Sequence, residues 1–164
     1  MERKNLPFRI NCEGYFLDSE GNIIAKESNG IVLFPGGGVD KNEEITKAMI
    51  RETKEETGAV VKNIRKLGTI KIFWGPNWAK TEKQKSRYTA FQGDEMHFFI
   101  GDIESFEEPE IKEEDFWDGN KLMNISEVIK KIEGKAPFDE DIRGYREAQL
   151  KFLKEIEEIV KDEK

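Results

Sequence analysis

Gly37 to Ala59, GGVDKNEEITKAMIRETKEETGA, constrains the fold more than any other stretch, because it joins a glycine-rich turn to a helix with three carboxylates near its far end. Asn42 is a type that caps helix N-termini and Gly58 a type that ends helices in the left-handed conformation, so one helix is predicted over Glu43–Thr57. At about 100° per residue, Glu52, Glu55 and Glu56 fall within an arc of about 100°. Glu52 and Glu56 are like charges four residues apart, and negative charge in the last turns opposes the helix dipole; each costs a few tenths to about 1 kcal/mol. Arg51 can reach Glu55 and Lys54 adds a further positive charge, but a divalent cation among the carboxylates would remove the repulsion outright. The neighbouring apolar face, Met49, Ile50, Thr53 and Thr57, places the carboxylates at a rim.

The chain has 164 residues, a one-domain length able to bury a core without staples, so residues 1–164 are expected to form one domain. With 34 acidic and 27 basic residues the net charge is −7, which argues against a general nucleic-acid or membrane-surface binder. The N-terminus, MERKNLPFRIN, has no apolar h-region, and no run approaches the roughly 18 apolar residues of a membrane span. A cytoplasmic protein is expected. Cys12 is the only cysteine and is read as filling a strand position; His97 is the only histidine. A zinc site of His and Cys is thereby excluded, leaving oxygen ligands that suit Mg²⁺ or Mn²⁺.

Phe8–Leu17 reads as a strand, Asp18–Asn22 as a turn and Ile23–Glu27 as the returning strand. Ile31–Phe34 reads as a short buried strand leading to the glycines, whose expected role is a tight strand-to-helix turn or a close approach to ligand. Beyond the helix, Thr69–Trp74 and Glu95–Ile103 are strands, and Lys121–Ile125 a last short one. Between the first two lies KTEKQKSR, Lys80–Arg87, read as a mobile basic loop. Either this is a solvated hairpin loop, or its Lys83, Lys85 and Arg87 meet phosphates, with Trp78 or Tyr88 stacking on a base. An acidic connection, ESFEEPEIKEED, follows the later strand. Ser126 is read as N-cap of a helix through Ile132, and Ile142, Tyr145, Gln149, Phe152 and Ile156 mark a long amphipathic helix over Asp139–Lys161. That helix packs on the domain or on a second subunit, as in a homodimer. The element order gives an α+β domain with mixed strands.

Gly37, five residues, Glu43, seven residues, then Arg51-Glu52-Thr53-Lys54-Glu55-Glu56-Thr57-Gly58-Ala59 resembles the Nudix box of the Nudix (MutT-like) hydrolase family. Pro35-Gly36-Gly37-Gly38 resembles the usual lead-in. Every charged and glycine position of the box, residues 37–59, is matched; Thr53 and Ala59 stand where the family mostly has larger aliphatic residues. The resemblance implies an α/β/α sandwich, a mixed sheet between helices with the box helix at one edge of the substrate cleft. It also implies hydrolysis of a nucleoside diphosphate linked to another group, with water attacking phosphorus. The metal ligands would be Glu52, Glu55 and Glu56 on Mg²⁺ or Mn²⁺. Arg51 would orient the glutamates, while Gly37, Glu43 and Gly58 hold the loop–helix shape. The general base would be Glu52, or Glu113 or Glu114 of the acidic connection. Nucleoside triphosphates fit the general pattern as substrates. Pro76 lies near where ADP-ribose-cleaving members carry a proline, and diadenosine polyphosphates or a catalytically silent nucleotide-binding regulator are the remaining readings.

Overall fold

The computed structural model describes residues 2–163. Its centre is β1, Phe8–Leu17, which runs parallel to β7, Gly93–Phe106, from Phe8 opposite Gly93 to Leu17 opposite Asp102. β6, Ala59–Phe73, lies antiparallel on the far side of β7, with register shifts near Val60, Lys62 and Lys66. Along its other edge β1 is shared by two short strands. Gly36–Gly38, β5, pairs antiparallel with Asn11–Glu13, and Asn22–Ile24, β2, pairs near Leu17 and carries β8, Leu122–Asn124, outside it. The glycines are thus a strand at the sheet edge as well as a lead into the helix.

Period-2 alternation sorts the sheet residues into two cores. Cys12, Phe16, Ile24 and Phe99 face α1, Ile45–Thr57, and pack on its Ala48 and Met49. Tyr15, Ile23, Phe98 and Ile100 face the other way, against α3, Ile125–Glu133, and α4, Glu140–Asp162, where Val128, Ile129, Phe152, Leu153 and Ile156 are buried. A mixed sheet between helices is the expected α+β sandwich. The long helix covers its own sheet, although Ile142 and Ile159 stay 41 % exposed. Among the described residues no helix is long and apolar enough to cross a membrane.

Several expected boundaries move. The box helix begins at Ile45 with Glu44 as N-cap, and Asn42 instead takes a left-handed φ of 68° inside a turn closed by Glu43 N–H on the Asp40 carbonyl. Glu43 caps that turn in return, accepting the Asp40 N–H at 3.1 Å, so its carboxylate is fixed before the helix starts. The returning strand breaks at Ala25. β3, Lys26–Ser28, turns through Asn29 and Gly30, both left-handed, into β4, Ile31–Leu33, a separate ribbon in which Ile31 and Leu33 are exposed rather than buried. The basic segment is also no loop. Thr81 and Gln84 form a reciprocal capping box that starts α2, Glu82–Ala90. Asn124, two residues before Ser126, caps α3 by accepting the N–H groups of Ser126 and Glu127.

Candidate active site

Arg51 ties the box together. Its Nε and Nη2 meet the two oxygens of Glu43 at 2.8 and 2.9 Å, a bidentate pair, and its Nη1 donates to Glu52 Oε1 and Glu55 Oε2, each at 3.1 Å. The pairing pulls the Glu43 carboxyl down to about 2. Glu52, Glu55 and Glu56 share one arc of α1 but not one environment. Glu55 is 47 % exposed and Glu52 18 %, whereas Glu56 turns beneath the helix and accepts the Gly36 N–H at 2.9 Å. The buried residues of α1 are Ala48, Met49, Thr53 and Thr57, with Ile50 outside them at 41 % exposed; half-buried Glu52 and Glu56 and exposed Glu55 stand at the rim of that face.

Burial, with the charges of Glu52, Asp115 and Glu55, pushes the Glu56 carboxyl up to about 8, and the Gly36 N–H offsets this only in part. Burial also raises Glu52, against the pull of Arg51. Gly37 makes room for this carboxylate: a Cβ there would stand 2.9 Å from the Glu52 carboxyl carbon. Under the site lies Cys12, whose Sγ donates to the Gly37 carbonyl and whose thiol burial lifts to about 12, an unreactive strand residue. Thr53 and Thr57 fill the buried face by bonding their hydroxyls back to Met49 and Thr53 carbonyls at 2.7 Å, so these polar residues enter the core satisfied.

Gly58, at φ 79°, ends the helix, and the acidic connection docks on that end. The Glu107 N–H donates to the Gly58 carbonyl and the Trp117 N–H to the Glu56 carbonyl, both at 2.8 Å, satisfying orphan acceptors of the last turn. This brings Asp115 to the carboxylates, where its charge acts on both Glu52 and Glu56. Glu113 and Glu114 are exposed on the same loop. The sequence signal for Asp115 was its place in an acidic run; the docking carbonyls that select it are a tertiary feature.

Of the residues expected at substrate, Trp78 stacks on Trp74 with ring centroids 3.8 Å apart, and Arg87 acts electrostatically on Arg9 of β1. Lys83 is exposed and Lys85 pairs with Glu82 at 3.6 Å. Tyr88 is covered by Arg3, whose guanidinium lies 3.4 Å from the ring centre. His97 is buried between Glu95 and Thr69. A cavity of about 260 Å³ between the β3–β4 ribbon and the starts of α3's exit and α4 is lined by none of the box residues.

The family model of the NUDIX domain matches residues 14–142. The chain belongs to the Nudix family. It is therefore a hydrolase, and the family's chemistry is pyrophosphohydrolysis with divalent cations. Among solved structures it resembles a Nudix hydrolase from Nitrosomonas europaea, at 15 % identity and TM-score 0.56 over 83 % of this chain and 84 % of that one. A MutT Nudix hydrolase from Burkholderia pseudomallei is also similar, at 20 % identity and TM-score 0.44 over 72 % and 84 % of the two chains. No curated protein matches the sequence.

The Nudix box of this chain suits a hard divalent cation by the chemistry of its donors, all carboxylate oxygens. Glu52 and Glu55 each commit one oxygen to Arg51 and Glu56 commits one to Gly36, which leaves Glu52 Oε2, Glu55 Oε1 and Glu56 Oε2 outside these bonds. As the side chains stand, no three His, Cys, Asp or Glu groups among the described residues converge closely enough to enclose an ion. Arg51 supplies the nearby positive charge.

Proposed function

We propose that the chain is a metal-dependent pyrophosphohydrolase, acting in the cytoplasm, that cleaves the diphosphate linkage of a nucleoside triphosphate or another nucleoside diphosphate derivative. In this reading the whole chain acts as one Nudix unit, and Glu52, Glu55 and Glu56 hold Mg²⁺ or Mn²⁺. Bound there, the cation neutralises the diphosphate and polarises a phosphoryl oxygen. The protein's own residues do the rest. Arg51, anchored on Glu43, fixes the side chains of Glu52 and Glu55. A carboxylate accepts a proton from the attacking water: Glu52, or one from the acidic connection, where Asp115 joins Glu113 and Glu114 as the base. The water oxygen bonds to phosphorus as the bond to the departing phosphate oxygen breaks, and that oxygen leaves with the electron pair. Trp78 and Arg87 face the substrate.

The observation that carries this reading is Glu56, a half-buried carboxylate with one backbone donor and three acidic neighbours. Such a group calls for a cation. The test is incubation with a panel of nucleotides and diphosphate derivatives in ¹⁸O-labelled water, with Mg²⁺, with Mn²⁺ and with EDTA. Metal-dependent turnover that places the label on one phosphate product is expected. Full activity in EDTA would overturn the metal assignment, and nucleotide binding without turnover would make the protein a regulator.

A further inference from the structure

A cavity of about 210 Å³ opens on the α4 side of the sheet, between β1, the ends of β6 and β7, and the first turns of α4. It is smaller than the roughly 300–1,000 Å³ that enclose whole drug-sized ligands, so it takes one part of a substrate. Its walls are aromatic on one side and polar on the other. Trp74, 6 % exposed, and Trp78 lie parallel, 2° between planes, with Trp78 the more exposed ring. Asp94 belongs to the polar side, its side chain 20 % exposed. Trp74 Nε1 donates to its Oδ2 at 3.0 Å, Asn11 Nδ2 donates to its Oδ1, and Arg9 Nη1 lies 4.0 Å from the same oxygen.

This cavity adjoins the box across the edge strand. A Cβ on Gly38 would meet Arg9 Nη2 at 2.5 Å, while one on Gly37 would meet Glu52, so the guanidinium and the carboxylate lie against successive residues of β5 and feel each other's charge. Arg87 of α2 adds a second positive charge that acts on Arg9. Two like positive charges at such a place favour a phosphate nearby. A substrate lying over β5 would set its ring in the cavity and its diphosphate beside Glu52.

We propose that this cavity is the base subsite of the enzyme and that Asp94 selects guanine nucleotides, with Trp78 as the stacking platform. The proposal rests on the nucleotide hydrolase reading above. Asp94 accepts from Asn11 and Trp74 and lies near Arg9, so every hydrogen bond it makes within the fold uses it as an acceptor, and these donors oppose the upward push of burial on its carboxyl. An acceptor pair of this kind matches the adjacent N1–H and N2–H₂ donors of guanine. Adenine and cytosine offer a donor beside an acceptor, and uracil one donor between two acceptors, so each leaves a carboxylate oxygen facing a lone pair. A site built to pair with polar groups discriminates strongly because the wrong ligand leaves buried groups unpaired. Stacking on Trp78 adds affinity without selectivity, since every base has a π-face.

The test needs neither metal nor turnover: GMP, AMP, CMP and UMP are titrated against the full chain in EDTA, read by tryptophan fluorescence. GMP is expected to bind at least 10-fold more tightly than the others and to quench the Trp74–Trp78 signal. Asp94→Asn is expected to abolish the preference, and Trp78→Leu to weaken all four ligands while keeping their order. Equal binding of the four by the wild type, or preference for another base, would overturn the proposal however the variants fold, as would retained GMP preference in Asp94→Asn. GMP selectivity in a protein that hydrolyses nothing would sink the hydrolase reading and leave the subsite standing.

Discussion

Two glutamates, one on each face of the sheet, live in opposite surroundings, Glu13 buried and Glu56 half-buried. Glu13, 4 % exposed, accepts from Tyr15 Oη at 2.7 Å, from Gln149 Nε2 at 2.8 Å and from Tyr145 Oη, so three donors converge on it from β1 and α4. Glu56 has the Gly36 N–H and then Glu52, Asp115 and Glu55 for neighbours. Both carboxyls are pushed up by burial, yet around Glu13 every neighbouring hydrogen bond opposes the push, whereas around Glu56 the neighbouring acids reinforce it. A buried carboxylate surrounded by donors fastens one element to another. A half-buried one surrounded by acids is poised for a cation.

The sharpest way to break this contrast is Glu56→Gln, which keeps the shape but cannot ionise for a cation. Its turnover should fall by more than about 100-fold, a loss that even an outer-shell partner of a metal ligand can cause. An unchanged kcat would make Glu56 structural like Glu13. Next in size, Gly37→Ala pushes a methyl group to within 2.9 Å of the Glu52 carboxyl carbon, and a displacement of about 1 Å near the chemistry can cost about 100-fold. Steady-state kinetics should register this with the melting temperature little changed, since the substitution touches a side chain at the sheet edge.

For Glu13 the effect belongs to stability. Glu13→Ala leaves three donors around a void and should cost about 3 kcal/mol or more in chemical denaturation, while the kcat of the folded fraction stays near wild type. Glu13→Gln separates charge from packing. The folded carboxyl is raised above its ordinary 4.5, so the native state holds the proton more tightly than the unfolded chain. The wild type then loses stability as pH climbs from about 4.5 through the raised folded value. Stability of the glutamine variant minus that of the wild type should therefore grow with pH over that window; a difference independent of pH would contradict the assignment. Smallest of all is Lys83→Ala with Lys85→Ala. Both side chains lie on the solvent side of α2, and at physiological salt charges beyond about 8 Å are screened, so KM should move by less than about 2-fold.

The box was legible in the sequence because its chemistry is local: Arg51 reaches Glu55 one turn away, and Gly58 needs only its own positive φ. The strands β1 and β7 were legible as apolar runs. Two misread segments carried signals of their own. Asn29-Gly30 is a strong two-residue hairpin turn that marks the β3–β4 ribbon, and Thr81-Glu82-Lys83-Gln84 is a capping box that turns a basic loop into α2. What no local pattern carries is pairing across the chain. Glu13 is 132 residues from Tyr145, Asn11 is 83 from Asp94, and Asp115 reaches Glu56 only because two carbonyls of the α1 terminus receive the loop's N–H groups. Composition registered these residues as ordinary strand and loop polar groups, and only the fold brings them together.

Whether Glu56 is held half-buried and under-paired for a cation is tested most directly by the melting temperatures of the wild type and Glu56→Gln, each in EDTA and in saturating Mg²⁺. A ligand that binds only the native state raises stability by RT ln(1 + [L]/Kd). At neutral pH in EDTA the variant should be about as stable as the wild type, because a carboxyl pushed up to about 8 is itself largely uncharged there, while its Mg²⁺-induced shift should be much smaller than the wild type's. An equal shift in the two proteins, or a variant that melts lower in EDTA while keeping the full shift, would contradict a cation role for Glu56.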